Sequence, residues 1–209
     1  AKDLLYKKKS DLDNLDALSL PLVVKPNFEG GSNGISENNL AYSYDAAIKM
    51  AHKLNQIFAQ PILIEEYLEG TEICISIIGT STKIDMLEAS KLVINDRDYF
   101  KDTIYSYEPK VKNIHERKLQ SATYMLDNEL KSKFLDLFQN LGKVELLRID
   151  GRINEFGIFS LIELTPDAYL GKRGSTTFCS QNIGIDYTRM LEILLENAYA
   201  EYQEREVTF

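Results

Sequence analysis

Apolar residues along this 209-residue chain change their spacing several times, and each change marks an element. Leu4-Leu5-Tyr6 reads as a strand, Lys7-Lys8-Lys9 as a solvated turn and Asp11 to Leu18 as a short helix. A second apolar run, Leu22-Val23-Val24, ends at Lys25-Pro26, because proline cannot donate to a ladder. Beyond a glycine-bearing loop, Ala47, Met50, Ala51, Leu54, Ile57 and Phe58 recur at helical spacing, with Ser43 as cap and Pro61 at the end. Strand-like runs follow at Ile62 to Ile64, Glu72 to Ile78 and Lys83 to Glu88, with a hinge at Leu68 to Gly70. Residues 92–107 are β-prone but broken by Asp96-Arg97-Asp98, and 111–122 read as a loop. Asp127 caps a helix faced by Leu130, Phe134, Leu137, Phe138 and Leu141. Strands at 146–153 and 158–164 flank Asn154-Glu155-Phe156-Gly157, a hairpin signal. Residues 165–184 read as irregular, and Asp186 opens a last helix faced by Tyr187, Met190, Leu191, Leu194 and Ala198. This mixed order predicts an α+β protein whose sheets are covered by helices on one face.

Composition narrows the function. Lys and Arg number 24 against 32 Asp and Glu, a formal net charge of -8 that argues against a nucleic-acid binder. No apolar run is long enough to span a bilayer and no signal-peptide pattern opens the chain, so no membrane partner is expected. Cys74 and Cys179 have no paired spacing and read as reduced thiols of a cytoplasmic protein. The two histidines, His52 and His115, lie far from either cysteine, which disfavours zinc, and His52 reads as structural or solvent-facing.

Two stretches carry candidate chemistry. After Lys25 the chain enters a loop with Gly30, Gly31 and Gly34, whose conformational freedom lets successive N–H groups converge on an anion. The stretch suits a phosphate, or is an ordinary glycine-rich turn beside a surface lysine. It is not the common phosphate loop, because no Lys-Ser or Lys-Thr pair follows the last glycine. The second stretch is the hairpin. Strand residues two apart share a face, so Arg148 goes with Asp150, and Glu163 with Thr165. Simple antiparallel pairing about Phe156-Gly157 sets Asp150 opposite Glu163, with Cβ atoms roughly 4.5–5.5 Å apart, where like charges repel. A hard divalent cation such as Mg²⁺ relieves that repulsion. Neutralisation by Arg148 alone, or a slipped register in which the pair never forms, are the alternatives. Magnesium, a glycine loop and a lysine together suggest a nucleoside triphosphate.

The motifs LVVKPNFEGGSNGIS, ILIEEYLEGTE, IYSYEPK and LRIDGRINEFGIFSLIELTP, in that order, resemble those of ATP-grasp ligases of the D-alanine–D-alanine ligase type. The resemblance covers nearly the whole chain. It implies an ATP-grasp fold, two α+β lobes with antiparallel sheets clasping a nucleotide, here 1–68 as the small lobe and 69–209 as the large one. It implies ATP and Mg²⁺ as cofactors and ligation of a carboxylate to an amine through an acyl-phosphate, in the family's case for peptidoglycan biosynthesis. Lys25 and Lys110 would meet the ATP phosphates, with Glu29, Gly30, Gly31, Ser32 and Gly34 forming the loop that closes over them. Glu65, Glu66, Tyr67 and Leu68 would surround the adenine, its base read by backbone groups at a strand end, and Glu72 would bond the ribose hydroxyls. Asp150, Glu163 and Thr165 fall on metal-ligand positions, Arg148 on the oxyanion-stabilising arginine, and Lys172, Arg173 and Ser175 are candidates for a substrate carboxylate. The family usually has asparagine where Thr165 stands, serine at Gly31, tyrosine at Val111 and Pro-Gly after the metal strand. These departures point to an altered amino-acid or peptide-like substrate, or to a non-catalytic nucleotide-binding module. The family also carries an N-terminal α/β domain, expected here in the same protein or a partner chain, and homodimers are common in it.

Overall fold

The computed structural model describes residues 2–104, 117–142 and 144–206. They divide into two compact units, residues 2–70 with 99–104 and 117, and residues 71–98 with 118–142 and 144–206.

The first unit is a sheet of antiparallel pairs in the order β1 (Asp3–Tyr6), β4 (Ile62–Glu66), β2 (Leu22–Pro26), β3 (Leu40–Ala41). Helix α1 (Tyr44–Phe58) starts where the Ser43 side chain accepts from the Ala46 N–H at 3.2 Å, and stops at Ala59, which turns left-handed ahead of Pro61. Its buried stripe, Ala47, Ala51 and Leu54, packs on Leu22, Val24, Ile62 and Ile64, all fully buried on one sheet face. Alternation then leaves Val23, Lys25, Leu63 and Glu65 on the other face, only partly buried. The helix expected over Asp11 to Leu18 is instead two 3₁₀ turns, Lys9–Leu12 and Leu15–Ala17. Leu15 and Leu18 are buried in the core of this unit and Leu12 packs against it, so the two short turns still serve the core. The short strand β7 (Tyr99–Phe100) belongs to this unit. The Tyr67 hydroxyl anchors the segment around it, donating toward the carbonyls of Phe100 (3.3 Å) and Thr103 (3.0 Å) and accepting from the Thr103 N–H (3.1 Å). His52 accepts or donates at Nδ1 to the Tyr6 hydroxyl, 2.8 Å away, and is part of the packing.

In the second unit the strands run in the order β10 (Phe159–Thr165), β9 (Leu146–Ile153), β5 (Gly70–Gly79), β6 (Ile84–Ile94), β8 (Arg117–Ser121). Helices cover both faces of this sheet rather than one. On one face Phe134 and Phe138 of α2 (Asn128–Asn140) pack against Ile73, Ile75, Ile77, Leu147 and Ile149. On the other, Cys179 of α3 (Ser175–Asn182) and Met190 of α4 (Tyr187–Glu206) meet Ile78, Met86 and Leu146. Helix α3 lies in the stretch read as irregular, and β8 in the stretch read as loop. The α3 sequence, STTFCSQN, has no apolar stripe, and Ser175, Thr176, Thr177, Cys179 and Ser180 are all buried. Burial of small hydroxyl residues is supported by internal bonds, such as Ser180 Oγ to the Thr177 carbonyl (2.9 Å) and Ser76 Oγ to Thr176 Oγ1 (3.2 Å).

Candidate functional site

Each unit holds its own cluster of the residues singled out by the sequence. In the first unit, Lys25 on β2 and Glu65 on β4 sit diagonally across an antiparallel pair, in which Val23 faces Glu65 and Lys25 faces Leu63. Their charged ends meet at 2.5 Å, so Glu65 is the counter-ion of Lys25. Directly after β2 the loop turns left-handed at Gly31 (φ 63°), Ser32 (φ 67°) and Gly34 (φ 74°). Only Gly34 is also required by packing, since a Cβ there would lie 2.7 Å from both Phe58 and Pro26, and Gly30 is constrained by neither angle nor space. A serine held at positive φ is a strained residue in an exposed loop, the kind that persists where surrounding bonds over-determine it. Those bonds come from Glu29, whose carboxylate accepts from Asn33 Nδ2 (2.6 Å) and Gln60 Nε2 (2.9 Å), while Gln60 Oε1 accepts from the Phe28 N–H (2.6 Å). Asn39, buried, closes the loop's far end by donating to the carbonyls of Val24 (2.7 Å) and Gly34 (2.9 Å). Gln60 was invisible to motif reading, because its partners Phe28 and Glu29 lie on a distant stretch of the sequence.

The segment after β4 is tied down in a way the sequence did not suggest. Glu66 N–H donates to the Lys2 carbonyl (3.0 Å) and Tyr67 N–H to that of Pro21 (2.9 Å). The Glu66 carboxylate accepts from the Ser19 N–H (2.9 Å) and the Lys2 N–H (3.2 Å), which hold its pKa below the ordinary value. Leu68 follows, partly buried. Lys110 and Val111 lie outside the described residues.

In the second unit the polar residues gather on one face of β5, β9 and β10. Cross-strand register sets Glu72 opposite Arg152, Cys74 opposite Asp150 and Ser76 opposite Arg148. On the other side of β9, Asp150 faces Glu163 and Arg148 faces Thr165, the pairing expected from the hairpin. The route to it differs. The turn closes between Ile153 and Phe159, with the Asn154 N–H on the Ile158 carbonyl (3.1 Å), which alone would bring Ile162 opposite Asp150. A bulge between Leu161 and Glu163 adds the residue that restores the pair. Gly151 is required here, because a Cβ would sit 2.3 Å from the Phe159 ring and 2.6 Å from the Ser160 carbonyl.

Arg148 grips Asp150 in a fork, Nε to Oδ1 (3.0 Å) and Oδ2 (2.9 Å) and Nη2 to Oδ2 (2.7 Å). Burial works to lower the Arg148 pKa, but the Asp150 charge and bonds, with Glu163 nearby, raise it on balance. The Glu163 side chain is exposed and makes no hydrogen bond or ion pair among the described residues. Thr165 Oγ1 is shut off from solvent with no hydrogen-bond partner, an orphan that calls for a ligand. Among the described residues no three His, Cys, Asp or Glu side chains converge on one point. The oxygen donors present are therefore two carboxylates and a hydroxyl. That set suits a hard ion such as Mg²⁺, which keeps waters and phosphate oxygens in its other positions.

Two neighbours escaped the sequence reading. Arg152, buried, donates from Nη2 to Glu72 Oε2 at 3.1 Å. Cys74 faces Asp150, and burial first, then the Asp150 charge, pushes its thiol well above the ordinary range. Both were findable by extending the two-residue alternation one step from Asp150 and from Glu72. Lys172 is exposed with Nζ over the Tyr187 ring at 5.5 Å, Arg173 is exposed, and Ser175 is buried at the start of α3.

A glycine loop behind a lysine-bearing strand, and a second α+β unit with opposed carboxylates on a hairpin, define the ATP-grasp fold. The chain belongs to the family described as D-ala D-ala ligase C-terminus, whose model matches residues 3–196. It is similar to D-alanine–D-alanine ligases of Marinomonas sp. (27% identical, covering 88% of this chain and 55% of that protein) and Buchnera aphidicola (28%, 94% and 59%). Its fold matches the D-alanine–D-alanine ligase of Bacillus anthracis complexed with ATP (TM-score 0.68, 22% identical, 97% of this chain and 61% of that one). It also matches the VanG D-Ala:D-Ser ligase of Enterococcus faecalis (TM-score 0.67, 17% identical, 94% and 56%). The chain spans little more than half the length of the curated relatives it matches. Among the described residues no helix is long and apolar enough to cross a membrane.

Proposed function

We propose that this chain is the ATP-binding and catalytic portion of an ATP-dependent carboxylate–amine ligase of D-alanine–D-alanine ligase type. The observation that carries this reading is the polar face of the second unit, where Asp150 opposes Glu163 and Thr165 Oγ1 waits unpaired beside Arg148. Family membership and the names of its relatives support the reaction class. Asp150, Glu163 and Thr165 would hold Mg²⁺, which when bound supplies positive charge to a transferring phosphoryl group. Lys25, released from Glu65, balances triphosphate charge, and the loop from Glu29 to Gly34 lays its backbone against the phosphates. Glu72 accepts from the ribose. Phosphoryl transfer to the substrate carboxylate needs no nucleophilic side chain, only neutralisation of two anions. Arg148 then stabilises the oxyanion as the amine attacks and phosphate leaves. Lys172 and Arg173, both exposed, attract a substrate carboxylate. The further parts of the protein that would complete the substrate site, in the same protein or a partner chain, and a homodimeric assembly belong to the same proposal, as does a cytoplasmic location.

A second reading rests on the Arg148 fork. With both Asp150 oxygens claimed by Arg148, the chain could bind nucleotide without turning it over. Release of ADP and phosphate, measured with and without D-alanine and followed by mass analysis of products, decides between them. Amino-acid-dependent ADP release with a ligated product establishes the enzyme. Nucleotide binding without release, in protein that includes whatever segment completes the substrate site, establishes the binding module.

A further inference from the structure

Resting on the nucleotide reading above, we infer that Arg152 is a positioning residue that sets the ribose selectivity of the site. Glu72 and Arg152 are direct cross-strand partners on β5 and β9. The guanidinium is nearly sealed, with a side chain 6% exposed, whereas Glu72 keeps 20% of its side chain in contact with solvent. A cation so buried cannot itself meet a ligand. It acts through the carboxylate it holds. Its Nη2 donates to Oε2 of Glu72 at 3.1 Å, while Oε1 accepts no hydrogen bond among the described residues. One oxygen is thus fixed by the protein and the other is left to accept a hydroxyl.

A carboxylate on the edge of a polar face, with Asp150 on the next strand and Glu163 on the strand beyond it, otherwise has reason to swing away from them into water. The bond to Arg152 removes that freedom, so the orientation of Oε1 is settled before nucleotide arrives. Preorganisation of this kind adds to affinity only through the contact it serves. Its signature is therefore a preference for the ligand that carries the hydroxyl, and no change for one that lacks it.

The test titrates the chain with Mg²⁺ and ATP, 2′-deoxy-ATP or 3′-deoxy-ATP, by calorimetry, for the wild type, Arg152→Lys, Arg152→Gln and Glu72→Gln. A hydrogen bond to a charged acceptor predicts that the wild type prefers ATP over at least one deoxy analogue by about tenfold or more. Arg152→Gln is expected to lose most of that preference while its affinity for the deoxy analogue holds, and Arg152→Lys to keep part of it. In the Glu72→Gln background, Arg152→Gln should change the preference no further. A preserved preference in folded Arg152→Gln or Arg152→Lys overturns the inference alone, as does an equal loss of affinity for all three nucleotides. If the wild type binds none of them, the nucleotide reading falls and this inference with it.

Discussion

Asp150 serves two partners in this reading, and Asp150→Asn separates them. Asparagine keeps the shape and one acceptor oxygen but removes the charge that Arg148 holds at 2.7–3.0 Å. The two side chains are 24% and 16% exposed, so water screens part of their attraction. The loss should lie between that of a surface pair, about 0–1 kcal/mol, and that of a buried one, about 3–5 kcal/mol. About 2 kcal/mol, at about 4 °C per kcal/mol for a unit of this size, lowers Tm by roughly 8 °C. Nucleotide at a hundred times its Kd adds about 2.7 kcal/mol to the folded state. Thermal melts followed by circular dichroism, with and without Mg²⁺ and a non-hydrolysable ATP analogue, read both effects. The wild type should rise by roughly 10 °C with ligand, and Asp150→Asn should start lower and rise far less. Glu163→Gln gives the contrasting result, because Glu163 has no protein partner among the described residues. It should melt like the wild type without ligand and still lose most of the rise. Equal rises in all three proteins would refute the metal assignment, and an unchanged melt of ligand-free Asp150→Asn would refute the reasoning about the Arg148 fork.

Gly151→Ala forces a methyl into the Phe159 ring and the Ser160 carbonyl, and should cost about 1–3 kcal/mol, measured by denaturant titration. Adding Phe159→Ala should not restore stability, since the backbone clash remains. Glu66 has its pKa depressed below 4.5 by the Ser19 and Lys2 N–H groups. Its stabilisation is present above that ordinary value and lost as pH falls through the depressed one, so acid unfolding of the first unit should steepen below about pH 4.5. Glu66→Gln should remove that component of the slope, and an unchanged acid profile would contradict the assignment. Burial pushes the Cys179 thiol up to about 12, so alkylation of Cys179 at pH 8 should proceed only after unfolding, as followed by peptide mass analysis.

Much of the fold was legible because local patterns agreed with tertiary packing. Helix α1 carried its own cap, period and stop, and β9 and β10 announced themselves by alternation around Asn154 to Gly157. Helix α3 was illegible, since a helix of buried serine and threonine has neither a stripe nor high propensity, and only its neighbours supply the partners it needs. The same division runs through the candidate site. Which residues share a strand face follows from the two-residue repeat, so Arg148 with Asp150, and Glu163 with Thr165, could be read directly. Which strands lie side by side does not follow from it, so the Lys25–Glu65 and Arg152–Glu72 pairs, each joining segments distant in sequence, had to be seen.

The hairpin shows the boundary most sharply. The residues themselves determined that a carboxylate on each strand faces the same way as its neighbour two positions on. The turn actually formed, centred on Phe156, would by regular pairing have brought Ile162 opposite Asp150 and turned Glu163 toward the core face with Phe134. One extra residue between Leu161 and Glu163 corrected this, and it lets Phe159 and Leu164, five positions apart, pack into the same core. A strand alone cannot do that, because its period of two sends residues five apart to opposite faces; only the demand of a filled core on one side and paired oxygens on the other selects the bulge.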